Sequence, residues 1–266
     1  VNNPIVKIAG GVFHSMALAA DGRVFTFGYN PNGQLGDGTA VQKTVPVLAL
    51  KGAYAGLTHL GDDNANPIVS ISAGYQHSMA LAADGTIYNF GGNPNGQLGN
   101  GTVVTSLTPV RAIKGAYTGT TFLGDNIANP IVDIASGHYH SLALGSNGTI
   151  YSFGSNNKGQ LGDNSLIDKS SPVRIIEGKY VGTTFIGDKS SNPVVSISAG
   201  QQHTIATTAD GYLYTHGMNN YGQLGINTVI DTPQPFIVGG VGNVGNLNVL
   251  GNVKAPKVRT VPATRI

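Results

Sequence analysis

Four histidines stand at a constant interval of 63 residues: His14, His77, His140 and His203. Imidazole is the side chain best suited to moving a proton near neutral pH, so a general base repeated along the chain is the first chemistry they suggest. A general base must meet one particular proton donor, and an identical residue in every copy has no distinguishing partner. The structural reading is therefore favoured. In it a small polar ring lies between two Gly-bounded strands, bonds neighbouring backbone groups and fixes a turn. His138 and His140 lie two apart, as zinc ligands can, but no third ligand follows nearby and no metal is expected there.

Gln34, Gln97, Gln160 and Gln223 keep the same interval, each inside a Gly-Gln-Leu-Gly box. Backbone amides of such a box could cradle an anion. Recurrence argues instead for architecture: Gly permits a tight bend, Gln pairs with the backbone and Leu packs between copies. Gly240-Val241-Gly242-Asn243-Val244-Gly245 matches a dinucleotide fingerprint by letter, yet no helix signal and no acid about 20 residues later follow, so no cofactor is expected. Asp62, Asp125 and Asp188 recur beside Gly; oxygen-rich loops can hold calcium, and Asx turns explain them at least as well. Tyr54, Tyr117 and Tyr180 repeat within one connecting stretch. Tyrosine suits a place with one end buried and the other wet, so these rings either pin the stretch or form an aromatic row for a partner. They are the best candidate for an interaction surface.

What positions these residues is a strict repeat. Asn-Pro pairs open each copy at Asn3-Pro4, Asn66-Pro67, Asn129-Pro130 and Asn192-Pro193, so the units run 1–63, 64–126, 127–189 and 190–252 without insertion or deletion. Equal units that cannot each bury a core alone should stack into one continuous array. Within a unit, 67–74 alternates branched residues and closes on Gly, 78–82 gives a second strand, Asp84-Gly85 a tight hairpin, 86–90 a third strand and 109–113 an outer fourth. Nothing has helical periodicity. A stretch at 114–125, matched at 51–62 and 177–188, reads as an ordered excursion that should line one face of the array. The fourth copy replaces it with a Gly-rich capping variant at 239–245.

Composition agrees with strands. Charged residues are 11% of 266, hydrophobic residues 40%, Gly reaches 39, and Glu177 is the sole glutamate. That is poor material for solvated helices. Cysteine is absent, which excludes disulfides and thiolate metal sites. No apolar run approaches the ~20 residues of a membrane-spanning helix. The chain opens at Val1 without Met, which reads as a processed or excised piece. Its charge is uneven: Lys254, Lys257, Arg259 and Arg265 make a basic tail at 253–266, and against a total of +2 this leaves −2 for the four repeats. The tail reads as a solvated terminus or linker, and nucleic acid is a disfavoured partner for the repeats.

The order Ala-Gly-x-x-His-Ser-x-Ala-Leu, Asp-Gly, Tyr-x-Phe-Gly-x-Asn, Gly-Gln-Leu-Gly, Pro-Val resembles the regulator of chromosome condensation repeat family over residues 1 to about 238. The family's commoner Trp is replaced by Phe27, Phe90, Phe153 and His216. The resemblance implies an all-β fold, a β-propeller-type array of four-stranded antiparallel blades. The family's usual ring has seven blades. Four therefore point to a piece of a larger chain or assembly, an open arc, or a ring completed by other copies.

Two functions follow. One is a non-catalytic scaffold acting through protein contacts and self-assembly; low charge with much Asn, Thr, Ser and Gly suggests an extracellular, cell-surface or virion setting. The other, implied by the resemblance, is nucleotide exchange on a small GTPase or docking on chromatin. That activity resides in loops peculiar to single blades, for which these near-identical units show no obvious counterpart. No asymmetric set of acids and bases supports an enzyme.

Overall fold

The computed structural model describes residues 3–178 and 184–238. Tyr180, the capping variant at 239–245 and the basic tail at 253–266 lie outside the described residues. The rest forms sixteen strands in four antiparallel sheets, each a simple up-and-down meander. Unit 1 holds β1 (Ile5–Gly10), β2 (His14–Ala19), β3 (Val24–Gly28) and β4 (Lys43–Leu48). Unit 2 holds β5 (Ile68–Ala73), β6 (His77–Ala82), β7 (Ile87–Gly91) and β8 (Ser106–Arg111). Unit 3 has β9 (Ile131–Ser136), β10 (His140–Gly145), β11 (Ile150–Gly154) and β12 (Lys169–Arg174). Unit 4 has β13 (Val194–Ala199), β14 (His203–Thr208), β15 (Leu213–Gly217) and β16 (Thr232–Ile237). No helix occurs among the described residues.

The core lies between units, not within them. Strand periodicity sends alternate side chains to opposite faces of each blade, so each needs a neighbour on both sides. Met16, Leu18, Val24 and Leu60 of unit 1 pack on Ile68, Ile71, Ala80, Tyr88 and Phe90 of unit 2. The same joint recurs with Met79, Leu81 and Ile87 against Ile131, Ile134, Tyr151 and Phe153, and again between units 3 and 4. Fully burying a ring such as Phe90 or Phe153 contributes about 1.5–3 kcal/mol, so joints supply much of the stability. The first strands β1, β5, β9 and β13 run innermost, each touching the next.

Strand limits differ from expectation in instructive places. The outer strand of unit 2 is Ser106–Arg111, not 109–113. Pairing jumps from Asn89↔Val110 to Gly91↔Ser106, a bulge that extends the strand backwards past Pro109. Thr86 stays in the turn, its N–H donating to Asp84 Oδ1 at 2.8 Å, so the third strand starts at Ile87.

Candidate functional site

The recurring histidines sit in the joints. His14 Nε2 lies 2.8 Å from Ser78 Oγ of the next unit, His77 Nε2 lies 2.9 Å from Ser141 Oγ, and His140 Nε2 lies 3.3 Å from Thr204 Oγ1. Each hydroxyl in turn donates to a backbone carbonyl of the preceding unit, Gln34 O, Gln97 O or Gln160 O, at 2.8 Å. A hydroxyl has one proton, and the carbonyl can only accept it. The imidazole must then donate from Nε2, which leaves Nδ1 bare, buried and without a partner. The ring occupies the space of a missing side chain: a Cβ on Gly11, Gly74 or Gly137 would lie 2.5, 2.3 or 2.1 Å from the His Cε1. Burial pushes His14 down to about 4, and His77 and His140 to about 3. These are neutral, desolvated hydrogen-bond donors that bolt one blade to the next.

The glutamines brace their own loops. Gln34 Oε1 accepts from Asn32 N at 3.1 Å, Gln97 from Asn95 N at 3.0 Å, Gln160 from Lys158 N at 2.9 Å and Gln223 from Tyr221 N at 2.9 Å. Beside them Asn30, Asn93, Asn156 and Asn219 each accept from the Leu N–H of the box and donate to two backbone carbonyls of the following loop: Thr39 and Val41, Thr102 and Val104, Ser165 and Ile167, Thr228 and Ile230. These buried amides were visible in the sequence as the Asn of each Tyr-x-Phe-Gly-x-Asn run, without a role.

Tyr54 and Tyr117 are not an aromatic row for a partner. Both are buried, edge-on to Tyr88 and Tyr151 at 5.3 Å, and donate to Asn66 O at 2.6 Å and Asn129 O at 2.7 Å. They pin the excursion to its blade. Tyr117→Phe is expected to cost about 1–3 kcal/mol in a denaturant melt, because Asn129 O and the Asn126 N–H (3.0 Å from the hydroxyl) lose a buried partner. Unchanged stability would refute that role. Asp62 and Asp125 spend their oxygens on the N–H groups of 57–59 and 120–122. Burial opposes ionisation of Asp125, but the Phe122, Thr121 and Thr120 bonds hold it down to about 2. The oxygens a calcium ion would need are committed to backbone donors. Asp188 pairs with Arg174, whose guanidinium lies over Phe185 at 4.1 Å.

Accessible aromatic surface lies elsewhere, on the rim formed by the loops between first and second strands, joined in unit 1 by Tyr29 just past β3. Phe13 meets Tyr29 at 5.8 Å and Tyr75 at 5.6 Å; Tyr75 meets His138 at 4.2 Å and Tyr139 at 5.2 Å. Phe13 is 54% and Tyr29 41% exposed. Tyr75 N donates to His138 O at 3.2 Å and His138 N to Gln201 O at 3.0 Å, tying these loops around the axis. They border a cavity of about 470 Å³ lined by the glycines at 10, 74, 137 and 200, with Tyr75, His138 and Gln201. No Asp, Glu, Lys or Arg lines it, and burial lowers His138, keeping the rim neutral. Position for position, Val12, Tyr75, His138 and Gln201 all differ, and Phe13 and Tyr139 stand where the second and fourth units have Gln76 and Gln202. These are the two variable places in Ala-Gly-x-x-His, the signal that could have found the rim.

A family model described as RCC1-like domain matches residues 1–255. The chain is 32% identical over 237 residues to the probable E3 ubiquitin-protein ligase HERC4 of Homo sapiens, covering 89% of this chain and 19% of that protein. It is 31% identical over 234 residues to the ultraviolet-B receptor UVR8 of Arabidopsis thaliana, covering 88% of this chain and 46% of that one. The chain thus spans less than half the length of these relatives. Among solved structures, human WBSCR16 superposes with a TM-score of 0.72 at 24% identity, over 90% of this chain and 54% of that one. Prp20p of Saccharomyces cerevisiae superposes with 0.65 at 22%, over 90% and 51%. Both share the fold.

Proposed function

The chain belongs to the RCC1-like domain family, and from that premise we propose that it is a non-catalytic protein-interaction module whose contact surface is the neutral aromatic rim. One observation carries the reading: chemistry that repeats in every unit is consumed by the joints, whereas the rim is where units differ and rings stay accessible. Tyr and Phe anchors of this kind dominate interfaces because they bury much area at little entropic cost. The partner it fits is a protein with an uncharged, apolar contact patch. A surface, extracellular or virion setting belongs to the same proposal and is supported by the low charge together with abundant Asn, Thr, Ser and Gly.

The test is binding of a captured partner to the chain and to Phe13→Ala and Tyr75→Ala. Each is expected to weaken binding about 10- to 30-fold, and Phe13→Ala, which removes a largely exposed ring, is expected to leave the blades folded as judged by circular dichroism. Affinity should barely move with salt, since no ion pairs steer the contact. A steep salt dependence, or accelerated nucleotide release from a small GTPase, would overturn the reading in favour of chromatin docking or exchange.

A further inference from the structure

One apolar feature recurs in every unit and is spent in none of the joints. Ala40-Val41, Val103-Val104, Leu166-Ile167 and Val229-Ile230 hold the same place, 63 residues apart, in the loop between third and fourth strands. All eight residues are exposed, and apart from Ala40 each is between 58% and 71% open. Units 2 and 3 are packed on both flanks, so their exposed pairs owe nothing to where the array stops. The fold asks nothing of these side chains. Asn30, Asn93, Asn156 and Asn219 hold the loop through the carbonyls of Val41, Val104, Ile167 and Ile230 at 3.1–3.2 Å. The N–H groups of the same four residues donate to the hydroxyls of Thr39, Thr102, Ser165 and Thr228 at 3.3–3.4 Å. Any side chain would serve those backbone bonds. The pairs nonetheless vary only among Ala, Val, Leu and Ile, while the next residue is polar each time: Gln42, Thr105, Asp168 and Asp231. Single exposed aliphatics are ordinary on a surface; eight in register are a patch.

Placement and charge indicate what covers it. The meander brings these loops to the same end of the blades as the turns between first and second strands, farther from the axis. Equivalent residues of radially arranged blades turn about the axis without moving along it, so the pairs stand at one level on an arc. The cations of these loops and of the strand ends beside them are neutralised: Lys43 by Asp37 at 3.3 Å, Lys158 by Asp231 at 2.9 Å and Lys169 by Asp163 at 3.3 Å. Exposed Tyr29 and Tyr221 lie in the same loops, and phenol rings suit the boundary between lipid and water. A protein is recognised by what differs from unit to unit. A fluid lipid surface has no features of its own and is met by what is level and alike in each. We propose that this end of the array lies on a lipid surface of zwitterionic headgroups, with the four aliphatic pairs entering the boundary above the acyl chains. Apolar area, and not charge, then sets the affinity. The loops, and not the rim, carry this inference, so it stands or falls separately from the proposed function.

The test is flotation of the full chain with phosphatidylcholine vesicles in a density gradient. Wild type is expected to float, equally at low and high salt. Val104→Asp and Ile167→Asp should each lower the partition coefficient about tenfold, and together bring it to background. Circular dichroism should be unchanged, because both side chains already face solvent. Val45→Asp is the control: that valine is 64% exposed but sits within the outer strand β4, so flotation should be kept. A wild type that stays at the bottom of the gradient would overturn the proposal. So would flotation only with phosphatidylserine, which would assign the binding to charge, or equal damage from Val45→Asp. A doubled mass on a sizing column that Val104→Asp abolishes, without flotation, would give the patch to a second copy instead.

Discussion

Acidification from pH 6.5 towards 4 is expected to strip the array of its stability before its carboxylates titrate. His14, His77, His140 and His216 are buried as neutral rings, with burial pushing His14 down to about 4 and the other three to about 3. In the unfolded chain each would take a proton near 6.5. The unfolded state therefore binds more protons throughout this window, and stability falls as pH falls, by about 1 kcal/mol per pH unit for each ring. Four rings acting together would remove a large part of the roughly 5–15 kcal/mol that holds a typical domain, within two pH units. The carboxylates act lower down. Asp37, Asp62, Asp125 and Asp163 are held below their usual range despite the opposing effect of burial, so what they contribute is lost only as pH falls below about 4. Thermal melts followed by far-ultraviolet circular dichroism at pH 7, 5.5 and 4.5 should show the steepest loss between the last two. The double variant His77→Gln, His140→Gln keeps an N–H donor near Nε2 and cannot titrate, so its melting point should fall less with pH. A wild-type melting point that holds from pH 7 to 4.5, or a variant as acid-sensitive as wild type, would refute the assignment.

The repeat made most of the fold legible. Constant spacing of Asn-Pro, His, Asp-Gly and Gly-Gln-Leu-Gly gave unit limits, and period-two alternation gave the first three strands of each blade to within a residue or so. The outer strand begins at Ser106, ahead of the 109 that alternation predicts, because the bulge between Asn89 and Gly91 obeys no alternation. The site was harder for a deeper reason. Tyr54 and Tyr117 recur, and recurrence alone leaves both readings open, a ring that pins the excursion or one that faces a partner; whether a hydroxyl reaches a carbonyl 12 residues on depends on how the excursion doubles back, which leaves no periodic trace. Once the backbone folds that way, a residue repeated in each unit is one the unit itself uses. Tyr75 and Tyr139 give no periodic signal because they do not repeat, and non-repetition is what an array offers a partner.

The same logic makes Gly124→Ala the most damaging small substitution expected in the second unit. Gly124 ends the excursion at φ +95°, a conformation side chains rarely adopt, and a Cβ there would lie 1.9 Å from Gly85 O and 2.7 Å from Gly85 C in the hairpin turn. Backbone atoms cannot swing aside as a side-chain end can, so either the excursion lifts or the turn moves. Strain at positive φ and forced overpacking each cost about 1–3 kcal/mol, together about 2–6. For a chain of this size that lowers the melting point by about 10 °C. Gly101→Ala separates the two contributions. Its φ of +81° imposes comparable backbone strain, yet its Cβ would meet only the end of the Ile113 side chain at 3.1 Å, so only about 1–2 kcal/mol should be lost. The gap between the variants reports what the packed excursion adds to its blade. Equal losses would mean that the glycine is there for its turn alone, and that the excursion rests on the blade without bearing on its stability.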